Sequence, residues 1–391
     1  MSVTAPGGFE AAGISCGIKD GGVPDFALVA TADRRPVTAA GVFTTNLATA
    51  APVQISREHL RDGKAAAVIL NSGNANAATG EQGRRDARRM CELTARELGC
   101  APEDVLVCST GLIGYRLPME PVEAGIPKLV AALGTDEPAG QAAADAILTT
   151  DTVRKEARAE IDGTTTVAGL AKGAAMLSPA MATMLAVLTT DAAVETAALH
   201  RALEQAVDDS FNELTVDGCT STNDTVLVLA SGAGTPLAGP GLHALTDAVT
   251  AVCRDLAGQM AADAEGATKL VRVTVRGARS SAEARLAARA VANSQLVQCS
   301  LNGGDPYWGR VLSELGASGA FIDAEAVAIA YNGVVACRNG VDARPDPVRL
   351  EGAMAAHDIE ITCDLELGMG EASALTTDLS HAYIDENRGT S

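Results

Sequence analysis

"AKGAAMLSPAMATMLAVLTTDA", residues 171–192, is the stretch on which the reading turns. It sits in a longer anomaly: from Thr164 to Thr190 only Lys172 is charged, in a chain of net charge −19. A lysine in apolar surroundings bears a desolvation cost unless a carboxylate meets it. A membrane span needs ~20 consecutive apolar residues, and here Lys172, Ser178, Pro179 and Thr183 interrupt the run. The Ala182–Thr183 junction is sterically small. A hydroxyl nucleophile needs a base and donors for the oxyanion. Thr183 gains its own base if the bond before it is cut, because the freed α-amino group, of intrinsic pKa ~7.7–8.0, lies beside its Oγ. On residue type alone a structural threonine is the commoner case.

Composition sets the outer limits. With 391 residues, two domains are expected. Lys and Arg total 30 against 49 Asp and Glu, which opposes binding to nucleic acid or an anionic membrane. Nine cysteines without a C-x-x-C pair fit reduced, mostly buried thiols of a cytoplasmic protein, and their spacing does not fit zinc. No metal or cofactor is expected. The opening "MSVTAPGGFE" lacks a basic segment followed by an apolar one, so no signal peptide is expected and the Asn223-Asp224-Thr225 glycosylation match is idle.

Outward from the quoted stretch, β-branched runs alternate with amphipathic segments. Strands are predicted at 26–32, 66–71, 104–109, 225–232, 270–277 and 358–368, and helices at 83–98, 139–148, 194–209 and 241–262. Ser280 or Ser281 caps a further helix. A soft domain boundary falls near residue 277, giving domains 1–277 and 278–391 of mixed α and β class. "LNSGNANAATG" (70–80) reads as a tight turn stabilised by asparagine side chains, or as a backbone anion site. It has neither the P-loop lysine nor dinucleotide-binding spacing. "CSTGLIG" (108–114) has small residues that let backbone amides face a reacting carbonyl.

The quoted stretch resembles the processing-site signature of the ornithine acetyltransferase family, also called glutamate N-acetyltransferases. The resemblance runs through "TAPGGFEAAGISCGIK", "NSGNANAATG", "STGLIG", "LTTDT", "STNDTV", "EGATKL", "DPYWGR" and "TTDLSHAY", in family order over nearly the whole chain. It implies self-cleavage between Ala182 and Thr183, with Thr183 as the acetyl-carrying nucleophile. It implies an oxyanion hole at Thr110 and Gly111. Thr149 (or its neighbour Thr150), Lys172, Thr183 and Glu265 would hold substrate, with Asn387 and Ser391 from a tail that folds back.

The implied fold is a layered sheet–helix sandwich akin to N-terminal-nucleophile enzymes, with a smaller C-terminal α/β domain. The implied activity is ping-pong transfer of acetyl from N-acetylornithine to glutamate in arginine biosynthesis, with acetyl-CoA a donor for some members. The implied assembly has two α and two β chains. Three departures from the family pattern stand out: Ala264 in place of a glycine, Tyr307 in place of an asparagine, and a tail one residue short, which leaves Thr390 as an alternative to Ser391. The rival readings are a secondary-metabolism paralogue, an N-terminal-threonine amidase that passes its acyl group to water, and an unprocessed substrate-binding protein. The five histidines are read as structural or exposed.

Overall fold

The computed structural model describes residues 2–176 and 184–389. Ala182, Thr183, Thr390 and Ser391 therefore lie outside the described residues. The chain forms two compact units. The first holds the described residues up to Ala174, those from Met184 to Asn212, and Thr220–Met260.

In this unit two sheets are stacked. One has the order Phe9–Ile14, Phe26–Thr31, Ala67–Asn71 and Val105–Ser109, with the last pair parallel and the others antiparallel. The other has the order Lys64–Ala65, Val37–Phe43, Thr225–Ala230, Leu185–Thr190, Thr165–Lys172 and Lys155–Ile161. Thr225–Ala230 and Leu185–Thr190 run parallel, and the remaining neighbours antiparallel.

Side chains alternate between faces along a strand. Ala27, Val29, Val68 and Leu70 of the first sheet thus join Leu170, Val187, Leu227 and Leu229 of the second in one buried apolar layer. Phe26, Leu28, Ile69 and Val107 face the other way, onto Met90 and Leu93 of helix Gly80–Leu98 and onto Val122 and Ile126 of helix Met119–Ala131. Beyond the second sheet, helix Thr196–Asp208 packs on Val37–Phe43, and Leu256 of helix Pro240–Ala262 lies at Gly169. The result is a helix–sheet–sheet–helix sandwich of the α/β class that the resemblance implied.

The second unit includes Glu213–Cys219 and the chain from Ala261 onward. Its sheet has the order Val341–Asp342, Val334–Arg338, Ala328–Tyr331, Asp358–Asp364, Leu270–Ala278 and Gly370–Thr377. Helix Ser281–Ala292 begins at Ser280, whose side chain accepts the Glu283 N–H, and lays Ala284, Ala287, Ala288 and Val291 against Val271, Val273 and Val275. The boundary expected near residue 277 is corrected here. Leu270–Ala278 is an interior strand of this sheet, parallel to Asp358–Asp364, so the long C-terminal segment of the second unit starts at Ala261. Among the described residues, no helix is long and apolar enough to cross a membrane.

Candidate active site

Strand Thr165–Lys172 ends on Lys172, opposite Leu185 and only 3% exposed. Its ammonium donates to Thr149 Oγ1 at 2.6 Å and stands 3.6 Å from Asp151 Oδ2. The carboxylate that a buried lysine requires is therefore Asp151. It is shared, since it also accepts Lys155 Nζ at 2.8 Å and the N–H groups of Gly173 at 2.6 Å and Thr149 at 3.1 Å. Burial alone would raise the Asp151 carboxyl, but Lys172, Lys155 and these hydrogen bonds hold it well below the usual range. Of the two candidate threonines, Thr149 touches Lys172, whereas Thr150 is exposed.

Thr110 and Gly111 follow directly on strand Val105–Ser109. The Thr110 N–H donates to the Asn71 carbonyl at 3.0 Å, so the donor it keeps for a ligand is its hydroxyl. Gly111 is exposed at φ 127°, and among the described residues its N–H has no backbone acceptor. A Cβ there would lie 2.3 Å from the Gly73 carbonyl carbon, so only glycine permits this approach.

The asparagines of the neighbouring loop are braces. Asn223 Nδ2 donates to the carbonyls of Ala75 at 2.7 Å and Ser109 at 2.8 Å, and Ser109 Oγ donates to Asn71 Oδ1 at 2.6 Å. Asn71 Nδ2 in turn donates to the Asn74 carbonyl at 2.8 Å. Of the two readings of residues 70–80, the braced turn accounts for these contacts, and buried Asn223 is committed to it.

Gly73 joins this turn to the lysines. Its own Cβ would lie 2.6 Å from Lys19 Cγ, so the Lys19 stem passes directly over it. The Lys19 ammonium then donates to the Leu148 carbonyl at 3.0 Å, one residue before Thr149. Thr110, Gly111, Thr149 and Lys172 thus share one neighbourhood of the first unit. If the Thr110 hydroxyl stabilises an acyl-transfer oxyanion, Thr110→Ala slows single-turnover transfer about 10²–10³-fold, or ~2.7–4 kcal/mol. An unchanged rate would leave the task to backbone donors alone.

Asp224 is a residue that sequence reading did not single out, although "STNDTV" contains it. It is fully buried, accepts the Met184 N–H at Oδ1 at 2.9 Å, and has no hydrogen-bond partner at Oδ2 among the described residues. Burial pushes its carboxyl well above the ordinary value, against the Met184 N–H, the Ser221 hydroxyl and the Lys172 charge. It anchors the backbone where Leu185–Thr190 begins.

In the second unit, Glu265 is buried and accepts Asn387 Nδ2 at 2.7 Å. Helix His381–Glu386 leads into Asn387, and a Cβ on Gly266 (φ 65°) would lie 2.2 Å from the Tyr383 nitrogen. The tail and the Glu265 loop therefore close on one another within the second unit. Asp217 lies in the same group, accepting the Met176 N–H at 2.6 Å and the Tyr383 hydroxyl at 3.2 Å. Its burial, backed by the Glu265 charge, raises its carboxyl against these bonds. Ala264 is buried beside Glu265, whereas Tyr307 is 55% exposed, next to Arg310.

Other side chains stay out of these groups. His59 bonds the Val105 carbonyl at 2.8 Å, and His200 and His357 pair with Glu204 and Asp358. All nine cysteines are free. Among the described residues, no cluster of His, Cys, Asp and Glu is built to hold a metal ion.

An α/β sandwich that groups Lys172, Thr149 and Lys19 near a glycine turn, whose Gly111 N–H has no backbone acceptor among the described residues, has the outline of an acyl-transfer enzyme. Comparison with known proteins narrows this. A family model described as "ArgJ family" matches residues 10–389, and the chain belongs to that family. It is 48% identical over 392 residues to the arginine biosynthesis bifunctional protein ArgJ of Mycobacterium leprae, covering 99% of this chain and 95% of that one. It is 49% identical over 397 residues to the protein of the same name from Symbiobacterium thermophilum, covering 98% and 97%. A crystal structure of the Bacillus halodurans arginine biosynthesis bifunctional protein argJ superposes with a TM-score of 0.50 at 34% identity, over 51% of this chain and 96% of that chain.

Proposed function

We propose that this chain cuts itself between Ala182 and Thr183 and then moves acetyl from N-acetyl-L-ornithine to L-glutamate through an acetyl-Thr183 ester. In the first half-reaction Thr183 Oγ attacks the acetyl carbonyl while the Thr183 α-amine takes the hydroxyl proton. The Thr110 hydroxyl and the Gly111 N–H face the oxyanion. Collapse breaks the amide bond, and the proton passes from the α-ammonium to the departing amine of ornithine. The second half-reaction is the reverse, with the glutamate amine as the attacking group.

Lys172 carries this reading. Both substrates present an α-carboxylate, and buried Lys172 with half-buried Thr149 is a cation–hydroxyl pair suited to hold it. In this reading the charge-poor sequence from Thr164 to Thr190 limits the access of water to an ester that it would hydrolyse. Glu265 and Asn387 are proposed to bind the rest of the substrate, with Ser391 or Thr390 from the tail. Acetyl-CoA is proposed as an alternative acetyl donor. The relatives' shared name supports a place in arginine biosynthesis. Nine free thiols are in keeping with a cytoplasmic setting. The solved relative's match to 51% of this chain is in keeping with a protein cut near its middle. Two α and two β chains would form the assembly.

The test is acetyl transfer from N-acetylornithine in the presence and absence of glutamate. N-acetylglutamate formation with little free acetate is the expected result. Acetate released at the same rate without glutamate would identify an amidase instead, and no turnover at all would favour a silent binding protein.

A further inference from the structure

We infer that Lys19 is a second carboxylate-binding residue of this site, forming with Lys172 a two-cation clamp. The inference rests on the acetyltransferase reading above and extends it to a residue outside the motif's binding set. Two adjacent residues receive the two ammonium groups: the Leu148 carbonyl accepts Lys19 Nζ at 3.0 Å, and Thr149 Oγ1 accepts Lys172 Nζ at 2.6 Å.

The two ammonium groups differ in how they are paired. Lys19 feels Asp25 and Asp151 together with the Lys172 charge, and Lys172 also lies near Asp224. Asp151 makes its short ion pair with Lys155 at 2.8 Å, while Lys172 stands off at 3.6 Å. Asp25 is fully buried and occupied with backbone, accepting the N–H groups of Cys16 at 2.7 Å, Gly17 at 3.1 Å, Ile18 at 2.6 Å and Lys19 at 2.9 Å. Among the described residues the Lys19 ammonium thus makes no direct ion pair, and held by a carbonyl in a part-buried setting it favours an anion.

The placement is also rigid. The four N–H bonds to Asp25 fix the loop that carries Lys19, and its stem lies on Gly73, whose own close neighbour is Gly111. A cation held in place before binding loses little entropy when a ligand arrives. Its ammonium is thus presented on the side of the site that adjoins the proposed oxyanion turn.

Burial, with the Lys172 charge, lowers the Lys19 pKa, against the pull of Asp25 and Asp151. The Cys16 thiol on the same loop is pushed up to about 12 by burial and Asp25, so it stays neutral beside Lys19. Lys19 therefore loses its proton at a lower pH than an exposed lysine. Carboxylate binding should weaken on the alkaline side as it does so.

The experiment uses the processed protein and two competitive probes, N-acetyl-L-norvaline and its carboxamide, which have no amine to titrate. Lys19→Met is expected to weaken the carboxylate probe tenfold or more and leave the carboxamide within twofold. Lys19→Arg is expected to restore binding and flatten its alkaline decline, because a guanidinium stays charged. Equal affinity of wild type and Lys19→Met for the carboxylate would overturn the inference. So would equal weakening of both probes, which marks a structural role. If the wild-type protein itself transfers no acetyl between N-acetylornithine and glutamate, the parent reading fails instead, and the probe result for Lys19 is read separately from it.

Discussion

Asp151→Asn is expected to lower folding stability by about 3–5 kcal/mol at neutral pH, the usual cost of breaking a buried ion pair from one side. The Asp151 side chain is fully buried and so is Lys155. Asparagine keeps the shape but withdraws the carboxylate that Lys155 and Lys172 share, and desolvated ammonium groups then face a neutral amide. The two N–H bonds, from Gly173 and Thr149, also lose their charged acceptor. The sign of the pH dependence follows from the depressed carboxyl. Its contribution is fully present above the unfolded value of ~3.9 and is lost as pH falls below it toward the lower folded value. Urea unfolding at neutral pH and again at acidic pH measures this. The gap between wild type and variant should narrow on acidification, while a neutral-pH loss under about 1 kcal/mol would show that Lys155 and Lys172 do not depend on this carboxylate.

How much of this was legible before the fold? Segments with one exposed face were: helix Gly80–Leu98 shows its charged outer side in the sequence, and Ser280 announces the helix after it. Thr165–Lys172 was not marked as a strand, because it is buried on both faces and so loses the alternation by which strands are recognised. The demand for a carboxylate at Lys172 could be stated from burial cost alone. Its identity could not, since Asp151 lies across a loop that only the sheet brings back to Lys172.

Lys19 and Asp25 were hidden for a related reason. Their roles rest on where a glycine lets two loops touch, and Gly73 reads locally as an ordinary turn residue. The domain boundary was misplaced because Leu270–Ala278 is claimed by partners far along the chain, Asp358–Asp364 and Gly370–Thr377, which no local pattern reports.

Thr183→Ala is expected to abolish both self-cleavage and acetyl transfer, because in the proposed mechanism one oxygen attacks in both. In cleavage, Thr183 Oγ adds to the Ala182 carbonyl, the peptide C–N bond breaks and the amine takes up a proton, leaving an ester that water then opens. In transfer the same oxygen takes the acetyl group. An alanine has no atom to do either, and the uncut chain also lacks the α-amino base. Thr183→Ser should still cut and transfer, since it retains the hydroxyl and, once cut, the amine. A denaturing gel of fresh protein should show two bands for wild type and Thr183→Ser, and one for Thr183→Ala. N-terminal sequencing of the second wild-type band should begin at Thr183. The two steps separate at Lys172: the proposed carboxylate partner is not needed to cut a peptide bond, so Lys172→Met should still give two bands while its KM for both substrates rises. A Thr183→Ala protein that still gives a fragment starting at residue 183 would remove the self-cleaving threonine from the mechanism. A one-band Lys172→Met protein would instead move the lysine from substrate binding to the cleavage step.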